Sequence, residues 1–281
     1  MLNNSVPVIA VGALGGSGTR VVAQILIDAG LWLGDDLNES LDNLTFTRLL
    51  KRPKWYQQAD ANAIEQRLRL FWRIMAGNRL AFGELWQGVM LSQHPDAAHS
   101  LRWCLRLGAQ WLGSSNLYPR WGWKEPNTHI YLDALLHHFP NLRYIHLIRH
   151  GVDMAFSSNR QQLINWGNRF GIELTGQESN QELASKQLDY WIASNKRVVQ
   201  LAEQFPQQVL LLTHQQLCCN PLQSINALLD FCQLSPEPAL REQLYQLPNP
   251  KAADKRYCAE DLRLFLASQL AQVAEFGFEI G

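Results

Sequence analysis

The sequence is poor in several things, and each scarcity removes a class of function. Lysine plus arginine and aspartate plus glutamate both number 25, so the formal charge is zero. A chain without a global basic field lacks the electrostatic footprint of a nucleic-acid binder, and any anion site in it has to come from local clustering. Cysteine is scarce and odd in number: Cys104, Cys218, Cys219, Cys232 and Cys258 form no C-x-x-C pair. Neither a zinc site nor a disulfide framework is favoured, and a reducing compartment fits best. No apolar run approaches the roughly eighteen residues of a membrane span, and the N-terminus has no basic region leading an apolar core. These absences point to a soluble cytoplasmic protein with no metal site, no nucleic-acid partner and no membrane span.

What is present is a core. Hydrophobic residues make up 47% of 281, enough for one large or two small globular domains. The ten tryptophans serve either ordinary core packing or an aromatic-lined cleft for an apolar or ring-bearing substrate.

The organising stretch is near the start. Val8 to Val11 is a short β-branched apolar run, read as a buried strand. Gly12, Gly15, Gly16 and Gly18 follow with Ser17 and Thr19, and Val21 to Ala29 then repeats apolar positions at helical spacing, with Gly30 as its C-cap. A strand that breaks into a glycine loop and then a helix cradles phosphate, since loop N–H groups point inward and the helix N-terminus is partly positive. The alternative is a glycine-rich turn of purely structural use. The register overlays G-x-x-x-x-G-K-[ST], with Thr19 at the hydroxyl position and Gly18 where the lysine would be. Without that lysine the loop is poorly built for cleaving a triphosphate.

Farther along, Leu31–Leu33 reads as a short strand leading into an acid- and asparagine-rich segment that ends at Thr47. That segment is either a solvated linker or a loop over the phosphate site. Ile64, Leu68, Phe71, Trp72 and Met75 share one face of a helix over 62–76, and a second helical region lies between Trp86 and Leu112 with a break near Pro95. Arg120 to Asn127 (RWGWKEPN) reads as a strand ending at a charged turn, with Asn127 capping a helix over 128–139. Leu142 to Arg149 is a strong strand, followed by a helix start at Val152–Ser157. A long helix over 181–204, a strand at Val209–Thr213, and helices over 221–231, 238–246 and 260–276 complete the chain. Alternating strands and helices predict a three-layer α/β fold with a mainly parallel sheet, whose ligands sit at the strand carboxyl ends. The glycine loop, Lys124 and Arg149 all fall there. Arg149 and Ser157 can reach one phosphate across a strand end and the next helix turn, with Asp153 to hold the arginine or cap the helix.

Together these motifs resemble the sulfotransferase family. Gly15-Gly16-Ser17-Gly18-Thr19-Arg20 is similar to its 5′-phosphosulfate loop, and Arg149 to Ser157 to its 3′-phosphate segment. Trp121-Gly122-Trp123-Lys124-Glu125-Pro126 resembles a W-G-x-K-x-P element of bacterial members, and His214-Gln215-Gln216-Leu217 stands where many read Y-E-D-L. The resemblance covers most of the chain and implies a P-loop-kinase-like fold over 1–281 as a single domain, with a mostly helical insertion at about 48–115. It implies 3′-phosphoadenosine 5′-phosphosulfate (PAPS) as co-substrate, without a metal, and a small-molecule, glycan or peptide acceptor with a hydroxyl or amine. Gly15, Gly16, Ser17, Gly18, Thr19, Arg20, Arg149 and Ser157 would hold the donor, and Lys251, Lys255 and Arg256 would close a basic loop over the 3′-phosphate. Many members carry lysine or arginine before S-G-T, where this chain has Gly16. Lys124 is therefore expected as the main catalytic cation, with Arg20 second. The general base is expected at Glu39, with Asp42 and then Glu84 as alternatives. Two rival readings are a P-loop kinase of nucleotides or small molecules, which needs Mg²⁺ and the missing lysine, and a non-catalytic nucleotide-binding protein.

Overall fold

Six consecutive buried residues, Val8–Ala13 (β1), lie at the centre of a parallel sheet. The computed structural model describes residues 6–97, 101–113, 118–250 and 261–280. Three further strands, Gly122–Lys124 (β2), Leu142–Ile148 (β3) and Val209–Thr213 (β4), give the order β2-β1-β3-β4. Every neighbouring pair is parallel, with Val11 opposite Lys124, Ala13 opposite Leu147 and Ile148 opposite Thr213. The expected strand at Leu31–Leu33 is reduced to one parallel bridge, Trp32 to Trp121, beyond β2.

A strand covered on both faces sends alternate side chains into two cores. Ile9, Val11, Ala13, Ile145 and Leu147 enter one, beneath Thr19–Asp28 (α1) and, farther along the chain, Pro221–Phe231 and Pro238–Leu244. Val8, Ala10, Leu142, Tyr144 and Ile148 enter the other. That larger core takes in helices Leu44–Leu50 (α2), Pro53–Gln58 (α3), Ala61–Met75 (α4), Phe82–Met90 (α5) and Leu101–Leu112 (α6). Most tryptophans go there: Trp72, Trp103, Trp121, Trp123, Trp166 and Trp191 are buried, which answers most of the tryptophan count with packing. Gly12 faces the same core, and a Cβ on it would overlap the Tyr144 hydroxyl.

After β2 the chain departs from the expected single helix over 128–139. Pro126–Tyr131 is a 3-10 turn that continues as Leu132–His138 (α7). The cap is Glu125 rather than Asn127: the Glu125 carboxylate accepts from the Asn127 N–H at 2.6 Å. Past β3 come Gly151–Ala155 (α8), Gln161–Trp166 (α9), Asn180–Gln204 (α10) and, after β4, His214–Cys219 (α11). His150, not Asp153, caps α8. Pro221–Phe231 (α12) and Pro238–Leu244 (α13) match the sequence closely. The helix expected over 260–276 is shorter: a 3-10 turn at Leu262–Leu264 precedes Ala267–Glu275 (α14), and residue 260 lies outside the described residues. No helix among the described residues is long and apolar enough to cross a membrane.

Candidate active site

β1 ends at Ala13, and Leu14–Gly18 forms a tight loop before α1. Gly16 and Gly18 hold φ values of 95° and 90°. L side chains seldom adopt this left-handed region, so glycine is needed at both places for a backbone reason. Gly18 sits at the N-cap of α1 with no side chain capping the helix. No side chain takes the N–H groups at this helix start, which is the arrangement an anion cradle uses. The ring of His214, at the start of α11, packs on this glycine, and a Cβ at 18 would lie 2.5 Å from His214 Cδ2. The lysine of the triphosphate pattern is absent from the sequence, and the space its stem would use is filled.

Arg149, just beyond β3, crosses to the loop. Its guanidinium donates to the Gly16 carbonyl at 3.1 Å and lies 3.5 Å from the Asp153 carboxylate. Ser157 joins them, its Oγ 3.9 Å from where a Gly16 Cβ would be. The two sequence motifs, more than a hundred residues apart, thus converge on one glycine. Ser17 and Thr19 are buried within the turn, whereas Arg20 is exposed on the first turn of α1.

Lys124 lies differently. It is 2% exposed, and its ammonium pairs with Asp42 at 2.5 Å and donates to the Ser40 carbonyl at 2.9 Å. The segment between Leu33 and α2 is what covers it. Asn43 fixes that segment by donating to the Leu33 and Lys124 carbonyls, and the buried Arg48 pairs with Asp36 at 2.6 Å. Of the three expected bases, Asp42 is the one brought to Lys124. Glu39 is exposed on the same segment, and Glu84 is turned to the Ala81 N–H and to Arg73 at 3.0 Å. Lys251, Lys255 and Arg256 lie outside the described residues.

Sequence reasoning missed a buried relay that ties β2 to the loop. Glu125 accepts from both the backbone and side-chain N–H of Asn127. The Asn127 carbonyl in turn accepts from Trp166 Nε1 at 2.8 Å and Gln162 Nε2 at 3.2 Å. Gln162 Oε1 then accepts from the Gly15 N–H at 2.8 Å. Burial lifts the Glu125 carboxyl to about 7, the Asp42 charge adding to the rise while Lys51 and the Asn127 hydrogen bonds oppose it. The sole signal for the relay in the sequence was a cluster of amides, Asn159, Gln161 and Gln162, shortly after Ser157.

A glycine loop, an arginine and a hydroxyl thus meet at the carboxyl end of a parallel α/β sheet, the end at which such sheets hold their ligands. Among the described residues, no three His, Cys, Asp or Glu side chains are grouped as a metal site would need. The model of the sulfotransferase family matches residues 7–238, and the chain belongs to that family. A sulfotransferase domain from the curacin biosynthetic pathway shares its fold at 15% identity and a TM-score of 0.53, over 98% of this chain and 99% of that one. The sulfotransferase domain of the Synechococcus PCC 7002 olefin synthase matches at 14% identity and 0.54, over 98% and 96%. A sulfotransferase from Mycobacterium avium matches at 16% and 0.50, over 98% and 77%. A search of curated proteins finds no match. Membership of this family implies PAPS as the donor.

Proposed function

We propose that the protein transfers a sulfuryl group from PAPS to a hydroxyl or amine of a small-molecule, glycan or peptide acceptor. The observation that carries this reading is the meeting of Arg149 and Ser157 on Gly16 of the loop. The residues fit such a donor: the uncapped start of α1 for the 5′ end, and a guanidinium with a hydroxyl beside it for a 3′-phosphate. When bound, the donor supplies a sulfuryl group on a phosphate leaving group, and the displacement builds negative charge on that phosphate. Gly16 can answer that charge only through its backbone. We assign the compensating cation to Lys124, with Arg20 second. Asp42, already on the Lys124 ammonium, is the carboxylate best placed to take the acceptor proton, with Glu39 on the same segment as the alternative. The kinase reading is disfavoured by His214, whose ring fills the space a lysine at position 18 would need.

The test has two parts. The product nucleotide, 3′-phosphoadenosine 5′-phosphate, is expected to raise the melting temperature more than ATP with Mg²⁺ does, because only the folded state binds it. Labelled sulfate from PAPS is expected to appear on hydroxyl or amine acceptors. Equal or greater stabilisation by ATP would count against the assignment, and binding without transfer to any acceptor would leave a nucleotide-binding protein.

A further inference from the structure

The helices α5 and α6 leave an apolar face uncovered. Phe82, Trp86 and Met90 recur every four residues on α5, and Leu101, Leu105 and Leu112 stand on α6; each is between 59% and 70% exposed. Trp111, 40% exposed, joins the rows, its ring centroid 6.4 Å from that of Phe82. Seven of the eleven large apolar side chains exposed among the described residues are therefore on this one pair of helices. The pair is rigid. A Cβ at Gly88 would meet Leu107 at 2.7 Å, so the glycine admits the close approach, and Trp103 Nε1 donates to the Gly88 carbonyl at 3.2 Å.

Charge has been kept off this face. The exposed positions of α5 are Phe82, Gly83, Trp86, Gln87 and Met90, none of them charged. On α6 only Arg102 is an exposed cation, since Arg106 turns away to Asp35 and the Trp32 ring. The seven side chains present on the order of 900 Å², against about 300–600 Å² for the largest patch of a typical monomer and about 800 Å² per partner in a standard interface. The rim carries exposed Arg102 and exposed Arg79, which donates to the Trp111 carbonyl at 3.3 Å, while Arg73 is paired with Glu84; an anionic membrane surface would call for a denser basic cluster than this. An uncharged face meeting its own copy has no like-charge penalty and shows the charge-depleted centre of a stable interface.

We propose that this face docks a second copy of the chain, the two helical hairpins packing face to face about a twofold axis near Trp86 and Leu105. Sedimentation velocity of the full chain over a hundredfold concentration range, from micromolar upward, tests it. The wild type is expected to sediment as a dimer. Trp86→Glu and Leu105→Glu are each expected to weaken that dimer by about thirtyfold or more, as for residues at the centre of an interface. Far-UV circular dichroism checks that each variant is folded, and Met90→Gln reads the same contact should a charge disturb the helix. A wild type that is monomeric throughout would overturn the proposal. So would a dimer indifferent to these substitutions, or a monomer that instead sediments with phosphatidylcholine–phosphatidylglycerol vesicles.

Discussion

The two strands flanking β1 present their cations in opposite ways. Arg149, past the end of β3, is already on the loop, bonded to the Gly16 carbonyl with Asp153 behind it. Lys124, at the end of β2, is opposite Val11, two residues and so about 7 Å short of the end of β1. It is buried and committed to Asp42 and Ser40. The arginine side already stands on the loop, while the lysine side is a closed ion pair that has to be opened before its charge can act elsewhere. A motif records the residue type at a strand end; whether that residue is ready or latched depends on what else folds over it.

Removing the latched cation is expected to have the largest effect. Lys124→Ala should lower turnover about a hundredfold with little change in nucleotide affinity, as for a group that acts on the transition state. It should also cost about 2 kcal/mol of stability by leaving Asp42 unpaired. Sulfate transfer and urea unfolding measure the two losses separately, and near-normal turnover would move the catalytic role to Arg20.

Next comes the carboxyl beside that pair. With its pKa raised from 4.5 to about 7, folded Glu125 keeps a proton that the unfolded chain gives up. Its contribution is full below about pH 4.5 and is lost as pH rises through 7, a loss of about 3 kcal/mol. Buried His129 and His146, lowered from 6.5 to about 3 and about 4, act with the opposite sign, adding stability as pH rises toward 6.5. The difference between wild type and Glu125→Gln isolates the carboxyl: the wild type should lose stability relative to the variant between pH 5 and 8. A pH-independent difference in urea unfolding would show that Glu125 is ionised in the fold.

On the open side, Arg149→Ala should weaken binding of 3′-phosphoadenosine 5′-phosphate by about 2–3 kcal/mol, through loss of charged hydrogen bonds. Titration calorimetry would reveal a merely structural arginine by normal affinity. The smallest effect is expected from Ser157→Ala, about 1 kcal/mol on the same affinity, as for one neutral hydrogen bond.

The same contrast marks what the sequence could disclose. β1, its glycine loop, β3 and β4 were legible because each is an apolar run cut off by glycine, charge or a helix start, all local signals. Helix α12 was legible from Pro221 and its spacing. The short helices α9 and α11 were not, because six residues hold too little periodicity to register. Asn127 was expected as a cap, but Pro126 after a buried glutamate gave the cap to Glu125 and turned the first residues into a 3-10 turn. Gln162 reaches Gly15 across 147 positions, and Asp42 reaches Lys124 across 82. Such pairings are made by chain folding and leave no trace in residue spacing.

The close fit of Gly12 beneath Tyr144 sets an order in which this core can change. An alanine at position 12 is excluded while the tyrosine ring stands, because its methyl would overlap the hydroxyl. The hydroxyl is itself bonded to His146 at 2.7 Å, so the tyrosine cannot simply turn away. Position 144 must therefore shrink first, giving up that bond, before position 12 can accept a side chain. The first glycine of the apparent phosphate pattern is thus held by packing, whatever the loop binds. It would persist in descendants that had lost every phosphate contact, for as long as they kept the tyrosine.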